Sequence, residues 1–384
     1  MATGARTTYT QSTTQKQAIS GLIEMIDWTE APLLHLLGVS NESKFRIENW
    51  PRTTYQWLED EMSPRTDALD EPLDNSETGV DVDDGTKFKT GDILKVTGSD
   101  ELMLVNSVSS NTLTVTRGFA GTTATSHDDN AVVTIVTMAA LEGANYTTGH
   151  TTVVTRPYNY TQILSEAVKV TGSQTVDNNY GITDEMLRQV AKLIGGGEGI
   201  GERGKAGKLA ILLAQTFYYG YRAAGSATTP RAMGGFHQFV TTNATNLASA
   251  TLTRKHISDL NRTLVDAGGS PDTIIVGTFL REKISSLFEG SIRTERTEKY
   301  GGYSIESIMT DFSDLQIVWD RWAPPGYLYM VEKAKMGWLG YRPFFIEDRA
   351  PGGDYFVKDV IGEYGFALCN EEGHGYLYNA STSA

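Results

Sequence analysis

The sequence predicts an α+β protein whose helices and strands run in separate blocks. Three observations carry this. Short β-rich runs crowd between residues 85 and 137, two helical segments flank one short apolar strand near residue 275, and strands dominate the last hundred residues. No regular βαβ alternation connects them.

Each element has a local reason. The first seventeen residues, rich in Thr, Gln and Ser, read as a flexible arm. Ile19, Leu22, Ile23 and Ile26 then recur at helical spacing, which Pro32 interrupts. From Lys44 to Trp57 the residues Phe45, Ile47, Tyr55 and Trp57 follow a strand-like pattern. The acidic stretch from Glu59 to Asp84 reads as loop. ILKVT, ELMLVNSV, TLTVT and AVVTIVT are short strands separated by turn chemistry at Thr97-Gly98-Ser99 and Ser109-Ser110-Asn111. Such spacing predicts a small barrel or sandwich inserted into a larger fold.

A strand from Tyr160 to Val170 follows, then a helix opening near Thr183. The Thr183 hydroxyl suits a cap, and Asp184 and Glu185 suit the positive end of the helix. KLAILLAQTFYYGYR is helical, ending near Gly225. ISDLNRTLVDAGGSP is a helix with a glycine stop and a following proline. DTIIVG is a short buried strand, TFLREKISSLF a helix, and LQIVWD, YLYMVE, GWLGYR and YFVKDVIGEYGFALC are strands.

Composition bounds the function. The 384 residues are 40% hydrophobic and 21% charged, as in a soluble globular protein with room for two or three lobes. A formal net charge of −14 argues against a surface built to grip a phosphate backbone. It still permits a protein that encloses nucleic acid. The single cysteine, Cys369, allows no intramolecular disulfide and suits a reducing cytoplasm. No apolar run approaches the length of a bilayer span, and the N-terminus has no signal-peptide core, so no membrane role is expected.

One stretch invites an enzymatic reading. In GGGEGIGERGKA (195–206), Gly199, Gly201 and Gly204 have dinucleotide-fingerprint spacing, and Gly199, Gly204 and Lys205 begin a phosphate-binding loop. The residue after Lys205 is Ala206, which cannot ligate magnesium, and both flanks are helical where a strand should lead in. A glycine-rich interruption between helices is the better reading, and no cofactor is expected. A nucleotide-binding enzyme using Lys205 remains the competing one.

Asp81-Val-Asp-Asp-Gly85 falls one residue short of a calcium loop. The six histidines show no metal-ligand spacing. His127 beside Asp128 and Asp129 reads as a surface turn, His374 as a structural turn residue and Cys369 as a buried, inert thiol. No catalytic or metal site assembles from these residues.

Several strings, taken in order, carry a family resemblance. They are Glu30-Ala-Pro-Leu-Leu-His-Leu-Leu-Gly38, Tyr55-Gln-Trp-Leu-Glu-Asp60, Leu113-Thr-Val-Thr-Arg-Gly-Phe-Ala-Gly-Thr-Thr-Ala124, Asn159-Tyr-Thr-Gln-Ile163, Pro271-Asp-Thr-Ile-Ile-Val-Gly277, Tyr341-Arg-Pro-Phe-Phe345 and Asn370-Glu-Glu-Gly-His-Gly375. Through them the chain resembles a tailed-bacteriophage major capsid protein of the HK97 fold with a β-rich insertion in the extended loop.

The resemblance implies a domain plan. Residues 1–44 would be the N-terminal arm and anchor, and 45–158 the extended loop with its insertion at about 78–137. Residues 159–229 would be the peripheral domain, its spine helix interrupted at 195–204. The axial domain would span 230–336, with the peripheral return strands and C-terminus at 337–384. It further implies a structural, non-enzymatic protein that assembles with itself into hexamers and pentamers of an icosahedral head enclosing double-stranded DNA. An encapsulin-type cellular shell is the alternative of the same fold.

Implied partners are a separate scaffolding protein (or one removed ahead of residue 1), a portal and decoration proteins, with the virion as location and assembly in the host cytoplasm. Trp57, Lys87, Lys89, Arg349 and Asp354 are the implied inter-subunit contacts, and the segment from Arg349 to Asp354 looks like a tip meeting neighbours at three-fold positions. Relatives that crosslink pair a lysine with an asparagine. Nothing pairs Lys87 or Lys89 that way, so crosslinking is not expected. Gly195, Gly196, Gly197, Gly199, Gly201 and Gly204 would form a hinge in the spine.

Overall fold

The computed structural model describes residues 31–37, 52–60, 65–140, 142–143, 152, 154–176, 185–194, 207–288, 307–350 and 352–382. They divide into two compact units, one within Leu58–Pro157 and one made from the chain on either side of it. At the front of the larger unit Pro32 opens a helix, α1 (Pro32–Leu37), where a proline's missing N–H removes no intrahelical bond. Strand β1 (Thr54–Gln56) follows.

The smaller unit is a closed barrel of β2 (Thr66–Ala68), β3 (Gly79–Asp81), β4 (Asp92–Val96), β5 (Leu102–Ser109), β6 (Thr112–Thr116) and β7 (Val132–Met138). The sheet order is β2-β7-β4-β5-β6-β3. Its two ends are joined by a Leu69–Val82 bridge. There the Asp70 N–H donates to Asp81 O at 3.0 Å and the Asp83 N–H to Ala68 O at 3.2 Å. Closure leaves no edge strand to pair with other chains. Period-two alternation fills the interior: in TLTVT, Leu113 and Val115 are buried while all three threonines face out. Leu69, Val80, Val82, Leu94, Met103 and Val133 complete this core.

The acidic stretch 59–84, expected to be loop, contributes β2 and β3, so the barrel's strands begin at Thr66. These strands are three residues long, too short to show a period, and in β2 the buried residue is Asp67. Lys87 and the Asp84 N–H satisfy its carboxylate at 2.7 and 2.8 Å, which lets an acid take an interior position.

In the larger unit, β8 (Tyr158–Tyr160) pairs antiparallel with β1. Then come β9 (Gln162–Thr171), α2 (Gly172–Val176), α3 (Glu185–Ile194), α4 (Lys208–Tyr219) and α5 (Phe236–Phe239). Helix α4 buries Leu209, Ala210, Leu213, Ala214, Phe217 and Tyr218, a wide stripe at helical spacing. It stops at Tyr219, earlier than the expected Gly225. Gly220 ends it, pressed so close to the Thr216 carbonyl that a Cβ would sit 2.4 Å away.

The chain continues through β10 (Ala244–Asn246), α6 (Arg254–Asp266), β11 (Thr273–Val276), α7 (Thr278–Phe288), β12 (Ser307–Met309), β13 (Asp314–Trp319), β14 (Leu328–Val331), β15 (Met336–Arg349), β16 (Tyr355–Leu368) and β17 (Gly375–Tyr378). A six-stranded mixed sheet has the order β10-β17-β14-β11-β13-β12, and an antiparallel sheet the order β15-β16-β9.

Strand β11 is buried on both faces, which is why its sequence is a continuous apolar run. Ile274 and Val276 meet Leu260 and Leu264 of α6 and Ile284 of α7 in one core, and Ile275 joins Tyr329, Phe217 and Phe366 in another. Residues 337–384, expected as one block, are shared between the sheets: β17 lies between β10 and β14.

Candidate functional site

The longest feature of the larger unit is the β15–β16 hairpin. Its inner half is core, with Met336, Trp338, Phe366 and Leu368 buried; its outer half is exposed along β15, while β16 there still buries Val357 and Val360 against β9. Phe345, Ile346 and Phe356 are exposed there, Phe356 at 55%. Cross-strand ion pairs hold this exposed half in register: Arg349 to Asp359 at 2.7 Å and Lys358 to Asp348 at 2.8 Å. Lys169 lies 3.5 Å over the Tyr355 ring, and the Gly172 N–H donates to Asp354 O at 3.3 Å.

Buried polar joints anchor the hairpin's inner half. Glu363 accepts from Arg231 at 2.7 Å, Arg342 at 2.9 Å and the Thr161 hydroxyl at 2.6 Å. The Asn159 amide donates to Gly234 O and Phe366 O, and its carbonyl accepts from the Gly234 N–H at 2.8 Å. The Tyr55 hydroxyl also donates to Phe366 O. Gly365 lies beneath that ring, and a Cβ there would fall 2.6 Å from Tyr55 Cε1.

His374 is fully buried. The Glu332 N–H reaches its Nδ1 at 3.3 Å while Nε2 faces Cys369 O at 3.2 Å, an arrangement that fits the neutral ring with the proton on Nε2. Burial brings its pKa down to about 4.

A second surface grows out of the aromatic core. Tyr329 is buried against Phe217, Tyr218 and Phe236. From it Tyr327, Tyr376 and Tyr378 stack outward across β14 and β17 with centroids 5.8–6.4 Å apart. His237 Nε2 meets the Tyr329 hydroxyl at 2.9 Å. At the end of α4, Tyr219 and Tyr221 are 57% and 66% exposed. The sequence carries this surface as Tyr-x-Tyr at 327/329 and 376/378 and as YYGYR, but strand spacing does not say which rings are covered.

In the barrel, buried Glu101 accepts from Arg117 Nε and Nη2 (2.6 and 2.9 Å), from the Thr125 and Gly118 N–H groups (2.9 and 3.2 Å), and faces His127 Nε2 at 3.2 Å. Burial raises its pKa, but these contacts, Arg117 foremost, outweigh that and bring it to about 2. His127, expected at a surface turn, is therefore interior: a bridge to Leu73 draws it in beside Glu101. Asp84 caps a short turn by accepting from the Thr86 N–H at 3.0 Å, and Asp81 accepts from the Thr112 hydroxyl. Among the described residues no group of three or more His, Cys, Asp or Glu could hold a metal, and no helix is long and apolar enough to cross a membrane.

The family model for the SU10 major capsid protein matches residues 3–381. The chain belongs to this family. Two solved structures show the same HK97-type fold. The cyanophage A-1(L) capsid subunit is 10% identical, with 98% of this chain and 100% of that one covered and a TM-score of 0.57. A chain from Mycobacterium phage Adephagia is 10% identical, with 98% of each covered and a TM-score of 0.51. A search of curated proteins found no sequence match. The protein is thus a phage major capsid protein, a structural component of the virion that assembles with itself into a shell.

The contact residues expected of this capsid protein are not brought together. Trp57 is only 8% exposed within the chain, packed with Tyr55, Phe239 and Ala367. A large ring on an alternating strand reads the same from sequence whether it faces a neighbour or the interior. Lys87 is ion-paired to Asp67 within the barrel unit. Lys89 lies in the same unit, where its N–H donates to Asp92 at 2.9 Å. Arg349 and Asp354 stand at the hairpin's outer end. The hinge glycines from Gly195 to Gly204 lie outside the described residues.

Proposed function

We propose that this capsid protein forms hexamers and pentamers of an icosahedral head, enclosing double-stranded DNA without reading its sequence and without a catalytic step. One observation carries the reading: the outer half of the β15–β16 hairpin is held in register by cross-strand ion pairs while Phe345, Ile346 and Phe356 stay uncovered. Exposed apolar residues on a pre-ordered element mark a protein contact, and closed symmetry supplies the neighbour. Arg349 and Asp354 would make the polar part of that contact, with Lys89 acting from the barrel and the Tyr219–Tyr221 surface as a second contact.

In the domain plan, residues 45–158 are the extended loop, the chain around α3 and α4 the peripheral domain with its spine, and 230–336 the axial domain, which gains β17. The net charge of −14 suits a wall that DNA can slide along during packaging and ejection. A separate scaffolding protein, a portal and decoration proteins complete the head, which is built in the host cytoplasm.

Negative-stain microscopy of the purified protein tests the reading. Capsomers or shells are expected from the natural chain, and Phe356→Asp should leave soluble, folded protein that no longer assembles. A natural chain that stays monomeric at every concentration refutes shell building. Unimpaired assembly by Phe356→Asp refutes the hairpin contact.

A further inference from the structure

The barrel carries a cleft that none of the shell contacts proposed above involves. An open cleft of about 660 Å³ lies between the turn at 97–101 and the loop at 121–131. Its size is that of small-molecule sites, but its walls are not apolar. Six hydroxyls line it, from Thr97, Ser99, Thr122, Thr123, Thr125 and Ser126.

The cleft is rigid. Its floor is Glu101, fixed by Arg117, which also donates to Asp74 O, Glu77 O and Thr125 O at 2.6–2.9 Å. Its walls are tied by Ser99 to Thr125 at 2.9 Å and by the Leu102 N–H to the Thr122 hydroxyl at 3.1 Å. Ala120 is held at φ 58°, a left-handed conformation that costs a residue with a Cβ and persists only where its surroundings enforce it. Such pre-ordering lowers the entropic cost of binding.

The free groups indicate the ligand. Glu101 is neutralised by Arg117 and Asp100 by Lys95 at 3.0 Å. Among the described residues, the Thr97, Thr123 and Ser126 hydroxyls and the Asp128 carboxylate make no side-chain hydrogen bond or ion pair. Apart from His127, buried and facing Glu101, the lining thus offers hydroxyls and one unengaged carboxylate, with no Lys or Arg to attract an anion and no Phe, Tyr, Trp or large aliphatic wall for an apolar guest. One acceptor-only carboxylate among donor–acceptor hydroxyls matches the vicinal hydroxyls of a sugar. We infer that this barrel cleft binds a neutral saccharide, with Asp128, Thr123 and Ser126 as its hydrogen-bonding residues.

Saturation-transfer NMR on the full chain tests this with linear glucose, galactose and mannose trisaccharides, their sialylated counterparts and a hexalysine peptide. At least one neutral trisaccharide should receive saturation. Asp128→Ala should weaken it about tenfold, the equivalent of roughly 1.4 kcal/mol. Ser126→Tyr, filling the cleft from an exposed position, should abolish it. Thr123→Tyr is the second filling variant should Ser126→Tyr lose the protection of barrel amides to hydrogen exchange. Transfer to no neutral sugar, undiminished transfer in a folded filling variant, or preference for the sialylated sugars or hexalysine overturns the proposal. None of these readouts depends on shell assembly.

Discussion

Replacing Glu101 with glutamine should unfold the barrel selectively. The substitution keeps the shape but removes the charge facing Arg117, whose side chain is only 7% exposed. An uncompensated buried guanidinium costs about 3–5 kcal/mol. The pH dependence supplies an independent magnitude. Moving this carboxyl from its ordinary 4.5 to about 2 corresponds to roughly 3 kcal/mol at about 1.36 kcal/mol per pKa unit, which solvent in the cleft screens to about 2. Because the folded-state value is depressed, that stability is fully present above pH 4.5 and is lost as pH falls toward 2.

All six tryptophans lie outside residues 65–140, so fluorescence does not report on the barrel. Hydrogen exchange at Gly118 and Thr125, whose amides donate to Glu101, does. Protection there should fall in Glu101→Gln by the equivalent of at least 2 kcal/mol at pH 7, and in the natural chain between pH 4.5 and 2. A loss below about 1 kcal/mol, or protection flat through that pH range, refutes the view that this ion pair holds the barrel. A double variant, Glu101→Leu with Arg117→Met, should recover much of the loss, since neither charge is then stranded.

Other outcomes follow from the larger unit. Glu363→Gln leaves the partly exposed Arg231 and Arg342 facing a neutral amide and should cost about 1.5–3 kcal/mol in urea unfolding followed by tryptophan fluorescence. His374, with its pKa brought down to about 4 by burial, stabilises the fold as the neutral ring; that contribution, up to about 3 kcal/mol, is present above pH 6.5 and lost as pH falls through 4. A His374 resonance titrating near 6.5 in the folded protein would contradict it. Gly365→Ala should destabilise by at least 1 kcal/mol, because the new Cβ meets the Tyr55 ring; an unchanged melting temperature would show that the ring yields freely.

Sequence by itself determined what depends on short-range chemistry. β-branched runs such as TLTVT and AVVTIVT, cut by turn residues, marked barrel strands, because such residues fit a pleated, half-buried surface. The apolar stripe of KLAILLAQTFYY marked α4, and the glycine stop in DAGGSP marked the end of α6. Several weak strings in a shared order identified the capsid family, since order along the chain survives when identity in any one segment does not.

Tertiary structure alone decided what depends on residues distant along the chain. Barrel closure rests on Leu69 meeting Val82 across strands too short to show a period. Asp67 could be interior only because Lys87 folds back over it, and Glu101 only because Arg117 arrives from the end of β6. Trp57 and the outward-stacked tyrosines look alike in sequence, because a ring on a strand carries no mark of which face will be covered. Long-range pairing sets that choice, and it likewise turned loop residues from 97 to 131 into the walls of one cleft.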